Sequence, residues 1–338
     1  MKNSLLAKTS RGISDLIPAE ASRFIVALSG GPDSVALLSL SQAWSKGARS
    51  RPVVEALHIH HGLRDHEADR DANHCANLCA RLGIPFHLVV EDAAKKSHSD
   101  SLSLETAGRE IRRARFVELG KARSAPIVLT GHHGDDQAET VLGNLLRGCG
   151  LRGLRGMEPL VEIGSSGISI GRPLLKIRRV EILKYLEEIG LHAIEDSSNR
   201  SPVHRRNRLR HETVPILEKE NPEIVTSLLN ISEEARRRWE VLQRRIDRCL
   251  ERVYIRSPRL SLPPDCCNGL EGPEIGDFLR RAIFQATGEE GGLVREHLRS
   301  LEKLVSGESR SASLLLPGNR KAIRCGGWIH IGPEENTP

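Results

Sequence analysis

Two short polar clusters carry the residue types that chemistry requires. The first, Ser29-Gly30-Gly31-Pro32-Asp33-Ser34, follows the apolar run Phe24 to Leu28 and precedes Val35-Ala36-Leu37-Leu38. A glycine-rich turn between a buried strand and a helix N-terminus can close its backbone on a phosphate, because unpaired N–H groups and the positive end of the helix dipole face the anion. Ser29 and Ser34 add hydroxyl donors, and Asp33 is a candidate Mg²⁺ ligand. The loop has neither the Gly-Lys-Ser/Thr of a Walker loop nor the Gly-x-Gly-x-x-Gly of a dinucleotide fingerprint. The second cluster, Gly131-His132-His133-Gly134-Asp135-Asp136-Gln137-Ala138-Glu139-Thr140, gathers histidines, carboxylates and an amide at the end of another apolar run. Capping of a helix N-terminus explains Asp135 or Asp136 alone but not the whole concentration of polar groups. Carboxylates there can hold Mg²⁺ on a triphosphate or orient an ammonium, and His133 can donate to a phosphate or stabilise developing charge. Asp136 and Glu139 lie about one helical turn apart and can face one site.

These clusters need elements to position them. From Phe24 to about Pro215, short apolar runs at 24–29, 53–59, 86–90 and 127–131 alternate with helical periods. That alternation predicts an α/β fold built on a doubly wound parallel sheet, in which ligands collect beyond the carboxyl ends of the strands. Ser29, His58 to Arg64, and Gly131 to Asp136 all fall at such ends. After Pro215 a three-and-four repeat from Ile224 to Val253 predicts one long helix. A Pro/Gly-rich connector at 257–273, helices near 275–286 and 294–305, and short strands around 314–316, 321–323 and 328–331 follow. The reading divides the chain into residues 1–217 and a smaller, mostly helical unit, 218–338, that ends in short strands.

Lys and Arg total 50 against 44 Asp and Glu, a net charge of +6 that suits a polyanionic partner without demanding one. The excess is concentrated: Arg200, Arg205, Arg206, Arg208 and Arg210 have no acid among them, and Arg236-Arg237-Arg238 with Arg244-Arg245 follow on the long helix. Seven cysteines at irregular positions, with Cys75-x-x-x-Cys79 one helical turn apart and no Cys-x-x-Cys, argue for reduced thiols and a cytoplasmic protein, not for a zinc or iron–sulfur site. No apolar stretch reaches the roughly 18 residues of a membrane span, and no secretory leader is expected.

In this order the motifs resemble one family closely, the tRNA(Ile)-lysidine synthetases, within the N-type ATP pyrophosphatases whose phosphate-binding loop is the PP-loop. Besides residues 29–34 and 131–140, the resemblance rests on several further segments: His58-Ile59-His60-His61-Gly62-Leu63-Arg64; Glu105 with Arg109 and Arg112; Arg147-Gly148-Cys149-Gly150; Arg172-Pro173-Leu174-Leu175; and Asp196-Ser197-Ser198-Asn199 leading to Arg206-Asn207-Arg208-Leu209-Arg210. It spans roughly residues 22 to 217. Arg113, Gly108 and Cys149 depart from the family pattern, which has tyrosine, alanine and a small residue there.

The resemblance implies a sheet of the PP-loop, adenine nucleotide α-hydrolase-like type. It implies ATP as co-substrate with Mg²⁺, an isoleucine tRNA with a CAU anticodon and free L-lysine as partners, and a homodimer as the family default. The implied reaction adenylates the oxygen on carbon 2 of the wobble cytidine, after which the lysine ε-amino group displaces AMP. Residues 29–34 would hold ATP; Asp33 and Asp136 the Mg²⁺; Asp136, Glu139 and Arg109 the lysine; and Arg205, Arg206 and Arg210 the tRNA, with Asp136, His133 and Asp33 as the catalytic set. Some of these residues have a second reading. The arginines at 205–210 also suit a solvated face or a cap to the sheet, and Arg109 and Arg112 also suit clamps on neighbouring carboxylates. His58, His61, Asp196 and Asn199 are read equally well as local hydrogen-bonding residues. A tRNA thiolase using the same adenylation would call for the Cys-x-x-Cys that is missing here, and an amidotransferase for an ammonia source. A non-catalytic tRNA-binding module would explain the arginines but leave both polar clusters without a task.

Overall fold

The fold was analysed in a computed structural model that describes residues 2–60, 62, 65–194, 205–288, 292–308 and 312–334. The chain forms two compact units, residues 1–235 and 236–338. In the first, α1 (Lys2–Ser14) precedes β1 (Arg23–Ala27), α2 (Pro32–Gly47), β2 (Val53–His60), α3 (Asp65–Leu82), β3 (Phe86–Val90), α4 (Ala93–Ser99), α5 (Leu104–Ala122) and β4 (Ile127–Leu129). Then come α6 (Gly134–Leu145), α7 (Leu151–Leu154), β5 (Leu160–Glu162), β6 (Ser169–Gly171) and α8 (Arg179–Ile189). The unit closes with α9 (Arg205–Arg208), a π-helical turn (Leu209–Thr213), α10 (Val214–Glu220) and the start of α11 (Ile224–Leu250).

The six strands run β3-β2-β1-β4-β6-β5, all parallel except β5, which lies antiparallel on β6. Successive β1 side chains point to opposite faces. Phe24 and Val26 pack with Leu37, Leu38 and Ile182 on one side, and Ile25 packs with Phe116 and Val128 on the other. Burial of both faces explains why β1 reads as an unbroken apolar run, and each of these side chains contributes about 1.5–3 kcal/mol on leaving water. Strand order reverses between β1 and β4, which pair through Ile25 with Val128 and Val26 with Leu129. Their carboxyl ends therefore open side by side into the crevice where such sheets bind ligands.

The second unit holds the remainder of α11, β7 (Tyr254–Arg256), β8 (Arg259–Leu262), α12 (Pro273–Thr287), α13 (Arg295–Ser306), β9 (Ser313–Leu316), β10 (Arg320–Cys325) and β11 (Trp328–Pro333). Its strands form one antiparallel sheet in the order β7-β8-β11-β10-β9. Helix α12 lies on β7 and β8, and α13 on β9 and β10. The segment at 257–273, expected as a plain connector, contains β8: Leu260 and Leu262 alternate inward and are buried, a period of two too short to stand out among prolines. The division read at 217 and 218 falls inside α10, and the compact units part inside α11, whose first turns bury Val225 and Leu228 against Ala138, Val141, Leu142 and Leu209. Among the described residues no helix is long and apolar enough to cross a membrane, and all seven cysteines are free thiols.

Candidate active site

At the end of β1 the chain turns through Gly30, whose φ of +89° is a conformation that favours glycine. Ser34 Oγ holds the turn shut. It accepts from Ser29 N at 3.1 Å, donates to Gly31 O at 2.9 Å and lies 3.2 Å from Ser29 Oγ. Ile194 N also donates to Gly30 O at 2.9 Å. Gly31 is the N-cap of α2, Pro32 opens the helix, and no side chain caps it. The first helical N–H groups and the positive dipole end are thus presented by a preorganised loop, the arrangement that binds phosphate.

Gly131, just beyond β4, brings the second cluster onto this loop. A Cβ there would sit 3.0 Å from Asp33 C, 3.1 Å from Asp33 O and 3.1 Å from Ser34 N. His133 then caps α6 in a reciprocal box: its Nδ1 accepts from Asp136 N at 3.4 Å, and Asp136 Oδ2 accepts from His133 N at 3.1 Å. That leaves Nε2 of the buried ring facing Asp136 Oδ2 at 3.5 Å and Asp33 Oδ1 at 3.7 Å. Burial raises the Asp33 pKa, the neighbouring Asp136 charge adds to the rise, and His133, Arg179 and Arg210 oppose it. Asp33 Oδ1 is buried without a hydrogen-bond partner. An unsatisfied carboxylate oxygen beside a phosphate loop fits Mg²⁺, which takes one or two carboxylates and completes its shell with phosphate and water. No group of three or more His, Cys, Asp or Glu at metal-binding spacing occurs among the described residues.

Asp136 and Glu139 face one side of α6, as their spacing predicts, and both are buried. Two guanidiniums hold them. Arg206 donates to Asp136 Oδ1 and Glu139 Oε2, each at 2.9 Å. Arg210 donates to Asp136 Oδ1 at 2.8 Å and to Glu139 at 2.6 and 3.2 Å. One π-helical turn places Arg210 beneath Arg206, so a pair four apart meets a pair three apart. Burial pushes the Asp136 carboxyl up, but His133, Arg206 and the bond from His133 N pull it below the ordinary value. Arg206 and Arg210, read from the sequence as tRNA contacts, are here partners of the two buried carboxylates, and the Arg206 side chain stays 48% exposed.

Other members of the second cluster hold the frame. Asp135 accepts from Arg178 Nε at 3.1 Å and Arg179 N at 2.7 Å, tying α6 to the start of α8. Gln137 donates to Arg155 O, Met157 O and Ser232 Oγ and accepts from Met157 N at 2.7 Å, an anchoring role its sequence context did not signal. His132 bonds Thr130 Oγ1 at 2.9 Å and is pushed down to about 4 by burial, with Arg172, Arg206 and Arg112 adding to the effect against Asp136. It is therefore neutral at physiological pH. Burial and the charge of Arg109 lower the Arg112 pKa; burial, Arg109 and Arg113 lower that of Arg172. Among the described residues no ion pair joins Arg109 or Arg112 to a carboxylate; Arg112 lies near enough to His132 to act on its charge, and Arg109 near enough to act on Arg112 and Arg172. His58 Nδ1 bonds Leu28 O at 2.8 Å inside the sheet. His61, Leu63, Arg64, Asp196 to Arg200 and the Arg205 side chain lie outside the described residues.

A doubly wound sheet whose phosphate loop and carboxylate helix meet at the reversal of strand order defines a PP-loop domain, and the family model described as "PP-loop domain" matches residues 5–217. The chain is 38% identical over 234 residues to the tRNA(Ile)-lysidine synthase of Chlorobaculum tepidum, covering 69% of this chain and 68% of the relative. It belongs to the tRNA(Ile)-lysidine synthase family. To the enzyme of that name from Bacteroides thetaiotaomicron it is 36% identical over 210 residues, 62% of this chain and 46% of the relative. The chain thus spans about half the length of some curated relatives it matches. In fold it is similar to the U34-tRNA thiolase NcsA from Methanococcus maripaludis, solved with its 4Fe–4S cluster, with a TM-score of 0.53, 21% identity and coverage of 69% of this chain and 79% of that one.

Proposed function

We propose that this protein ligates free L-lysine to carbon 2 of the wobble cytidine in the isoleucine tRNA bearing a CAU anticodon, consuming ATP and releasing AMP and pyrophosphate. The carrying observation is the contact at Gly131, which sets a phosphate cradle and a buried carboxylate pair against each other in one site. A carbonyl oxygen of cytosine leaves poorly until it is adenylated, which accounts for a nucleotide site; an amine nucleophile needs carboxylates to receive its ammonium, which accounts for Asp136 and Glu139.

In this reading the Ser29 to Ser34 loop orients the triphosphate through backbone N–H groups and hydroxyls. Asp33 and Asp136 would hold Mg²⁺, which when bound neutralises charge developing on the pyrophosphate. The lysine ammonium takes the place of one guanidinium on Asp136 and Glu139, and the more exposed Arg206 is the one free to turn toward RNA phosphate. Arg109, which lies near Arg112 and Arg172, receives the lysine carboxylate. Lysidine pairs with adenine, so the product would read AUA instead of AUG and carry isoleucine instead of methionine.

The test is transfer of labelled lysine, with ATP and Mg²⁺, to an isoleucine tRNA transcript with a CAU anticodon, beside the methionine tRNA that shares it. Label on the first alone is expected. AMP formation without label would retain the adenylation and reject lysine as nucleophile.

A further inference from the structure

Alternation along the second unit's strands sends Leu260, Leu262, Ala322, Ile329 and Ile331 to the buried face, so Ser261, Trp328 and His330 project from the other. Tyr254, paired with Ser261 on β7, projects with them and is 64% exposed. The three rings form a row: Tyr254 and Trp328 centroids lie 5.6 Å apart, Trp328 and His330 are stacked at 6.4 Å, and Ser261 Oγ bonds His330 Nδ1 at 2.9 Å. Arg256, Arg259 and Lys321 share this face by register, and the Arg259 stem lies against Gly332, where a Cβ would come within 2.9 Å of Arg259 Cγ. None of the five strands contains an aspartate or glutamate.

A ring row serving only packing would be buried, and a solvated face would mix charge signs. Aromatic rings on a face that carries cations and, in its strands, no carboxylate are the composition that takes π-faced anions, with bases stacking on rings and phosphates meeting guanidiniums; Ile323, Cys325 and Leu315 share the face by register. We infer that this open sheet face, through Tyr254, Trp328 and His330, is a stacking platform for unpaired RNA bases. The proposal rests on the RNA-substrate reading above for its biological setting, but its chemistry is independent of lysine transfer.

The experiment uses the full chain and a short mixed-sequence single-stranded oligoribonucleotide, end-labelled for fluorescence anisotropy, beside the same strand annealed to its complement. The single strand should bind more tightly than the duplex, and its affinity should fall roughly tenfold in Trp328→Ala and again in Tyr254→Ala. Trp328→Phe should retain most of it. Tyr254 is exposed, so Tyr254→Ala keeps the test valid if the tryptophan variant fails to fold. Unchanged affinity in both alanine variants, or equal binding of duplex and single strand, would overturn the platform. Since the probe has no anticodon, loss of lysine transfer with retained oligonucleotide binding would reject the ligation reading alone.

Discussion

Asp136 meets three donors at once, His133 N, Arg206 and Arg210, and these tie the helix cap to the arginine pair. Asp136→Asn keeps an oxygen for the cap but removes the charge, so ligation should fall by about 10²-fold or more while tRNA affinity moves less than about twofold, measured by lysine transfer and filter binding. The two arginines should separate. Arg210 is the more buried and its pKa, despite burial, is raised by its bond to Glu139. Arg210→Ala should cost about 1.5–3 kcal/mol in urea unfolding, because it strips two buried carboxylates of the more buried of their two guanidinium partners. Arg206→Ala should cost about 0–1 kcal/mol and weaken tRNA binding more than Arg210→Ala does. The residue types at both clusters were legible because their chemistry is local to a few positions. The pairing of Arg206 and Arg210 with Asp136 and Glu139 was not, since some seventy residues separate the partners and no periodicity reports a contact of that range.

At the scale of elements, the site depends on two backbones lying close. Gly131→Ala would drive a methyl into Asp33 and Ser34, and should both destabilise the fold by about 1–3 kcal/mol and raise the KM for ATP. Gly108→Ala, inside α5 with nothing within 4 Å of its Cβ position, should instead stabilise by about 0.5–1 kcal/mol and leave the KM unchanged. Urea midpoints and AMP release distinguish the two. Strands β1 to β4 were legible because burial on both faces or alternate faces leaves apolar runs. The three-residue strands β5, β6 and β7 were missed because a few residues carry no readable period, and the longer helix α1 because its buried stripe, Leu5, Thr9 and Ile13, is broken by a polar residue. The π-helical turn was also invisible: its sequence, Leu209 to Thr213, reads as ordinary helix.

For the molecule as a whole, a polar knot distant in sequence from the site contributes to the response to acid. Glu55 is buried in β2 and accepts from Arg23, His87 and Arg123. Burial pushes its carboxyl up, but the bonds from Arg123 and His87 bring it below its ordinary 4.5. A depressed folded-state value means the stabilisation is complete above the unfolded-state value and is lost as pH falls through the folded one. Stability should therefore decline below about pH 4.5, and Glu55→Gln should cost about 2–3 kcal/mol at neutral pH while flattening that decline, both read from urea unfolding across pH.

The guanidinium pair on Asp136 and Glu139 has a thermodynamic corollary. A cation arriving there enters by exchange, one positive charge displacing another, so the pocket's affinity for it is a difference between two affinities. Whatever anion captures the displaced guanidinium tightens the newcomer's hold by the same factor by which the newcomer tightens the anion's.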